Sequence, residues 1–138
     1  MIRTFLLLFL SVICIGVARA GDVSATVTMA KGPDDQPTTT FAPNTGIIYA
    51  LFKTKGAKSG DKIRGVLTAE SVSDTAQPNT KVFETLLDMQ GDDGEFDFSK
   101  PTNGWPLGKY RVDIYLNEEL VASAKFTVEP AKERSAEE

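Results

Sequence analysis

An all-β sandwich is the fold this sequence predicts, on three observations. Strand-length segments of period-2 alternation recur from residue 22 to residue 128, with turn residues between them. No apolar pattern of helical period persists for three turns. The clearest segment, residues 100–128 (KPTNGWPLGKYRVDIYLNEELVASAKFTV), reads as a β-hairpin. Its first strand puts Tyr110, Val112, Ile114 and Leu116 on one face, with Arg111 and Asp113 on the other. Leu120, Ala122, Ala124, Phe126 and Val128 repeat that row on the return strand. Asn117 and Glu118 form the centre of the tight turn, since Asn tolerates the positive φ such turns need.

Residues 1–20 stand apart from the fold as a cleavable signal peptide. Arg3 supplies a basic start, an apolar run follows to Val17, and Ala18-Arg19-Ala20 offers small residues at −3 and −1 before Gly21. The run is shorter than the roughly 20 residues of a membrane span, so the mature form is not expected to span one. Ile13 is too large for the lipidation pattern that Cys14 would otherwise suggest. The expected location is therefore periplasmic or secreted. Cleavage leaves 118 of the 138 residues and removes the one cysteine, so hydrophobic burial must stabilise the domain at residues 21–128 without a disulfide. With Arg3 and Arg19 gone, 13 basic residues face 19 acidic ones, a net charge of −6. That balance argues against a nucleic-acid partner.

Residues 22–29 alternate Val23, Ala25, Val27 and Met29 against polar positions: a first strand. Residues 31–43 carry three prolines, which fits a loop or an edge crossing. Residues 47–54 are apolar on both parities and predict a central strand, with Ile48/Phe52 and Ile47/Leu51 equally eligible to face inward. A turn at 55–61 leads to a strand over 62–70 with Ile63, Gly65, Leu67 and Ala69 on one face. Polar loop follows at 71–79. Residues 81–89 form a weaker strand of ambiguous parity, expected at a sheet edge. Gly91-Asp92-Asp93-Gly94 is a turn, and Phe96 and Phe98 mark a short strand beyond it. Residues 129–138 are charged, lack core residues, and read as a disordered tail.

About seven antiparallel strands in this span fit a β-sandwich, and the run Pro106 to Val112 sharpens the assignment. It resembles the entry to strand F of immunoglobulin-like domains, where a tyrosine near the strand start bonds back to the backbone. The resemblance makes Tyr110 that corner tyrosine. It places Val112 where antibody domains have a cysteine and Leu67 where strand C often carries a tryptophan. More narrowly, GDKIRG at 60–65, GWPLGKY at 104–110 and the YLN turn resemble small exported bacterial immunoglobulin-like proteins of unestablished function. The likeness spans residues 41–128 and implies a fold and a location, but no catalytic residue.

There is no histidine anywhere, and no cysteine after cleavage, which removes Ser-His-Asp and Cys-His nucleophile systems and the usual zinc and copper sites. Asp88, Asp92, Asp93 and Glu95 crowd one turn, yet lack the alternating spacing of a calcium loop; a solvated turn is expected, with no metal or cofactor. Lys53, Lys55, Lys58 and Lys62 surround the turn after the central strand. They read as a solvated sheet end, or alternatively as contacts for an anionic glycan or headgroup. Trp105 reads as a lid on the open end of the core, or, if exposed, as a stacking platform for a sugar or a partner. Phe41 has the same two readings.

Lys55, Lys58 and Trp105 are thus the candidate partner or glycan contacts. The expected function is a non-catalytic exported binding or interaction module, contacting a protein or glycan of the cell envelope through loops or an exposed sheet edge. The alternatives are a carboxylate-dependent enzyme acting on glycans and a structural or chaperone-like accessory of an envelope assembly.

Overall fold

The structure, a computed structural model, describes residues 23–73 and 77–130. The expected signal peptide at 1–20 and residues 131–138 of the expected tail lie outside them. Eight strands and no helix make up the described chain: β1 (Ser24–Ala30), β2 (Thr40–Phe41), β3 (Ile47–Lys55), β4 (Lys62–Val72), β5 (Thr80–Asp88), β6 (Asp93–Ser99), β7 (Gly108–Leu116) and β8 (Glu119–Val128). They form a three-stranded sheet ordered β1-β3-β6 and a five-stranded sheet ordered β2-β8-β7-β4-β5. All pairings are antiparallel except β2 with β8. The fold is an all-β sandwich of immunoglobulin-like type.

The eleven residues whose alternation and size marked them as the centre of the core are all buried: Ile48, Phe52, Ile63, Leu67, Phe96, Phe98, Tyr110, Val112, Ile114, Phe126 and Val128. The even choice in β3 resolves towards Ile48 and Phe52, while Ile47 stands 37% exposed on the outer face. Sequence cannot decide this, because a strand with apolar residues on both parities leaves the inward row to its neighbours. In β4, Gly65 is needed for packing: a Cβ there would lie 2.9 Å from the ring of Phe96 across the core. β6 is thereby seated directly over β4.

One expectation is corrected. Leu120 does not continue the inward row of β8; it is 54% exposed. The register shifts between Ile114 and Tyr115, so that Ala122 faces Ile114 and Leu120 faces Tyr115, and the extra residue turns Leu120 outward. The proline-rich span is, as expected, loop with an edge crossing. Thr40 and Phe41 pair with Thr127 and Val128, and Phe41 buries its ring edge-on against Phe126 at 5.3 Å between centroids. The hairpin turn is as expected: Asn117 and Glu118 both have positive φ, 47° and 71°, the geometry that matches the twist of the flanking strands. The Asn117 carboxamide oxygen also accepts from the Lys62 backbone N–H at 2.9 Å, tying the turn to the start of β4.

Candidate functional site

Trp105 is withdrawn as a candidate contact. It is 3% exposed, and its indole N–H donates to the Thr45 carbonyl at 2.9 Å. Its ring meets Tyr110 edge-on at 6.2 Å, so it closes the end of the core. Lys55 and Lys58 are exposed, but the lysines do not converge. Alternation puts Lys53 and Lys55 on the outer face of the three-stranded sheet, since Phe52 and Thr54 are buried. Lys62 lies on the outer face of the opposite sheet, beside Ile63, where it pairs with Asp88. Residues near in sequence are thus divided between two faces of the sandwich.

The acidic turn is also dispersed. Among the described residues no group of three His, Cys, Asp or Glu side chains is placed to hold a metal ion. Glu95 instead borders an open cleft of about 620 Å³ on the outer face of the three-stranded sheet, with Leu51, Thr28 and Pro33 among its walls. Partial burial, and then the charges of Asp97 and Asp34, hold the Glu95 carboxyl above the usual carboxylate range. A raised carboxyl favours the folded state while it is protonated, and that advantage is lost as pH rises through the folded-state pKa. Glu95→Gln should therefore raise the melting temperature at pH 7 and leave it unchanged at pH 3. A gain of equal size at both pH values would overturn this account.

The outer face of the five-stranded sheet carries a polar network that links residues of four strands. Asp113, 6% exposed, accepts from Arg111 Nε at 2.9 Å and from Ser123 Oγ at 2.6 Å. Arg111 also donates to Glu70 at 3.0 Å. Arg64 bridges Glu84 and Glu118 at 3.1 and 3.2 Å, with its guanidinium 4.2 Å from the centre of the Tyr115 ring. These groups satisfy one another across β5, β4, β7 and β8. They bind the sheet together and leave little polar capacity for a ligand.

The surface that differs from all of these is β5. It pairs with β4 on one side, from Lys62↔Asp88 to Ala69↔Thr80, and closes its sheet on the other. Its Val82, Phe83, Leu86 and Leu87 are 41–55% exposed, and they are four of the seven large exposed hydrophobics among the described residues. Opposite the inward-facing Leu67 and Ile63, Phe83 and Leu87 point toward the core side, yet the narrower three-stranded sheet does not cover them. Phe83 meets only the edge of the core, standing edge-on to Phe98 at 5.6 Å. Leu87 lines a shallow groove with Ile63, Met89 and Phe52 that ends at Asp88 and Glu95. Leu86 points outward. The ambiguous parity of this segment was the signal of the site: an edge strand that is apolar on both faces has more apolar surface than its own core uses.

Edges elsewhere are blunted. β6 ends the other sheet with Asp93, Glu95 and Asp97 on alternate positions. β1 presents Ser24, Thr26 and Thr28, and the bridge from Ala30 to Pro37 folds the following loop against its end. β2 is two residues long. Charge, polarity and brevity are the usual defences of an exposed edge; β5 carries charge at Lys81, Glu84 and Asp88, yet leaves Val82, Phe83, Leu86 and Leu87 exposed between them.

No family model matches the chain, and no curated protein matches it in sequence. Among solved structures it is similar to an immunoglobulin-like protein from Pseudomonas aeruginosa, at 18% identity and a TM-score of 0.49, over 79% of this chain and 93% of that one. It is also similar to part of an alkylpurine DNA glycosylase from Pseudomonas fluorescens, at 18% identity and a TM-score of 0.48, over 77% of this chain and 30% of that one. A β-glucosidase from Kluyveromyces marxianus follows at 10% identity and a TM-score of 0.46, over 78% of this chain and 14% of that one. The chain thus spans less than a third of either enzyme's length. What its own strand order establishes is an all-β sandwich of immunoglobulin-like type.

Proposed function

We propose that this protein is an exported, non-catalytic binding module that takes up an extended polypeptide segment along β5. The observation that carries the reading is the exposure of Val82, Phe83, Leu86 and Leu87 on a strand that ends its sheet. An incoming strand would find a row of backbone N–H and C=O groups to pair with, and apolar side chains on both faces to read alternate positions. The leader-like residues 1–20 and the resemblance to small exported bacterial proteins support the location, and a polypeptide of the envelope is the partner this implies.

The test is a library of random eight-residue peptides passed over the immobilised protein, as recovered from its producing cells. Enriched peptides should carry alternating apolar residues, and Leu86→Lys, a change at an exposed site, should abolish their capture while the circular dichroism spectrum is kept. Capture that Leu86→Lys leaves intact would move the site elsewhere. The raised carboxyl of Glu95 beside an open cleft favours a second reading, a carboxylate-dependent activity on glycans. Glycan turnover that Glu95→Gln abolishes would put that reading first.

A further inference from the structure

We infer that Asn103 is a site of spontaneous deamidation, gated by the turn that holds Trp105 over the end of the core. The chemistry selects the residue. The chain has four asparagines, Asn44, Asn79, Asn103 and Asn117, and only Asn103 precedes a glycine. The attacking group is the backbone nitrogen of the following residue. A Cβ on that residue would crowd it, and Gly104 has none. The Asn103 side chain is exposed and makes no hydrogen bond among the described residues. Hydroxide takes the Gly104 amide proton, and the nitrogen attacks Asn103 Cγ. The N–Cγ bond forms, the Cγ–Nδ2 bond breaks, and Nδ2 leaves as ammonia with a proton from water. Water then opens the five-membered imide. Attack at Cγ gives aspartate; attack at the main-chain carbonyl gives isoaspartate, whose backbone runs on through Cβ and Cγ. Asp93-Gly94 offers the same ring from an acid, but both residues are held in the β3–β6 ladder.

The fold holds this reaction back. The Gly104 N–H donates to the Pro101 carbonyl at 2.9 Å, closing a turn in which neither Thr102 nor Asn103 has a positive φ. That is the type I form, whose third residue has ψ near 0°. Ring closure needs Cβ and the next nitrogen eclipsed about the Cα–C bond, which that ψ forbids. It also needs the N–H that the turn uses. The turn must therefore open first, and contacts to residues 43–46 oppose the opening. The Lys100 N–H donates to the Gly46 carbonyl at 2.8 Å, and the Trp105 N–H to the Pro43 carbonyl at 2.9 Å. The indole N–H adds its bond to Thr45. Gly104 itself lies so near that a Cβ would stand 3.1 Å from the Pro43 carbonyl oxygen. The same contacts define the consequence. Isoaspartate adds one atom to the backbone just ahead of Gly104, so Trp105 no longer keeps its N–H on Pro43 and its indole on Thr45 together. The ring, 3% exposed, is then drawn out of the end of the core and away from Tyr110. The reaction requires a local opening and makes that opening permanent.

The experiment is incubation at mildly alkaline pH of the protein recovered from its producing cells, beside a synthetic peptide of residues 100–109. Peptide mapping follows Asn103, and labelling by an isoaspartyl methyltransferase counts the isoaspartate. The folded protein should convert about ten- to a hundredfold more slowly than the peptide. Trp105→Phe, which removes the indole donor, should close much of that gap. If that variant does not fold by circular dichroism, urea below the unfolding transition of the wild type should do the same. The converted fraction, separated by its added negative charge, should melt at a lower temperature. Its emission should shift to the red, since Trp105 is the one tryptophan of the chain. Asn103→Gln should show neither change after the same incubation. Equal rates in protein and peptide would overturn the gate, as would a folded Trp105→Phe protein that converts no faster than wild type. First conversion at Asn44, Asn79 or Asn117, or an intact Asn103 after about a hundred half-lives of the peptide, would overturn the site. A converted fraction with unshifted emission and melting temperature would overturn the consequence at Trp105.

Discussion

Replacing Tyr110 with alanine should cost about 3–5 kcal/mol of unfolding free energy, and replacing it with phenylalanine about 0.5–1.5 kcal/mol. The two numbers separate two jobs of one side chain. Its ring is 1% exposed, stacks parallel on Phe126 at 5.0 Å and receives the edge of Trp105, so truncation opens a large cavity among aromatic neighbours. Its hydroxyl donates to the Pro106 carbonyl at 2.6 Å, four residues upstream, and the phenylalanine variant strands that carbonyl. Burial also pushes the phenol up to about 12. A phenol raised in the folded state stabilises it fully below the ordinary pKa of about 10, and that contribution is lost as pH rises toward the folded value. Wild type should therefore lose stability between pH 10 and 12 faster than Tyr110→Phe does. Urea unfolding at pH 7 and pH 11 measures both effects; a phenylalanine variant as stable as wild type at pH 7 would mean that the hydroxyl bond contributes nothing.

This corner was legible from sequence because its cause is local. Gly108, Tyr110 and Val112 lie within five residues, and the hydroxyl's acceptor is in the same loop. The hairpin turn was legible for the same reason, but the bulge between Ile114 and Tyr115 that turns Leu120 outward leaves no mark in the alternation. What could not be read were features made by pairings distant along the chain. Arg64 meets Glu84 and Glu118, 20 and 54 residues away, and no spacing rule connects them. Trp105 was read both ways because its acceptor, Thr45, lies 60 residues upstream, and only that contact shows the indole buried. The lysines around the 55–61 turn looked like one patch because sequence proximity hides a change of sheet. Phe41 stayed ambiguous because a two-residue parallel strand has no period to detect. The edge at β5 was half legible. Its apolar residues on both parities were plain, but only the strand order reveals that the opposite sheet stops short of it.

Gly108→Ala should prove comparably destructive to removing the Tyr110 ring, although it adds a single methyl group. Gly108 opens β7 at φ 144°, a conformation that side chains rarely adopt, and it lies between two strands, opposite Val72 of β4 and Val128 of β8. A Cβ there would stand 2.2 Å from the Ser71 carbonyl oxygen and 2.6 Å from the Val72 Cα. Both are backbone atoms and cannot rotate away as a side chain would. The Ser73 N–H, which donates to the Leu107 carbonyl at 2.8 Å, holds the two chains together at that point and blocks the simplest retreat. Conformational strain of about 1–3 kcal/mol and overpacking of about 1–3 kcal/mol act together, so the expected loss is roughly 3–5 kcal/mol. Gly91→Ala is the control, since a Cβ at 91 meets nothing within 4 Å and should change stability by less than about 0.5 kcal/mol. Equilibrium unfolding of the pair decides the matter. If Gly108→Ala matches wild type, the end of β7 can part from β4 without cost, and the close approach at Ser71 is not what holds the corner in place.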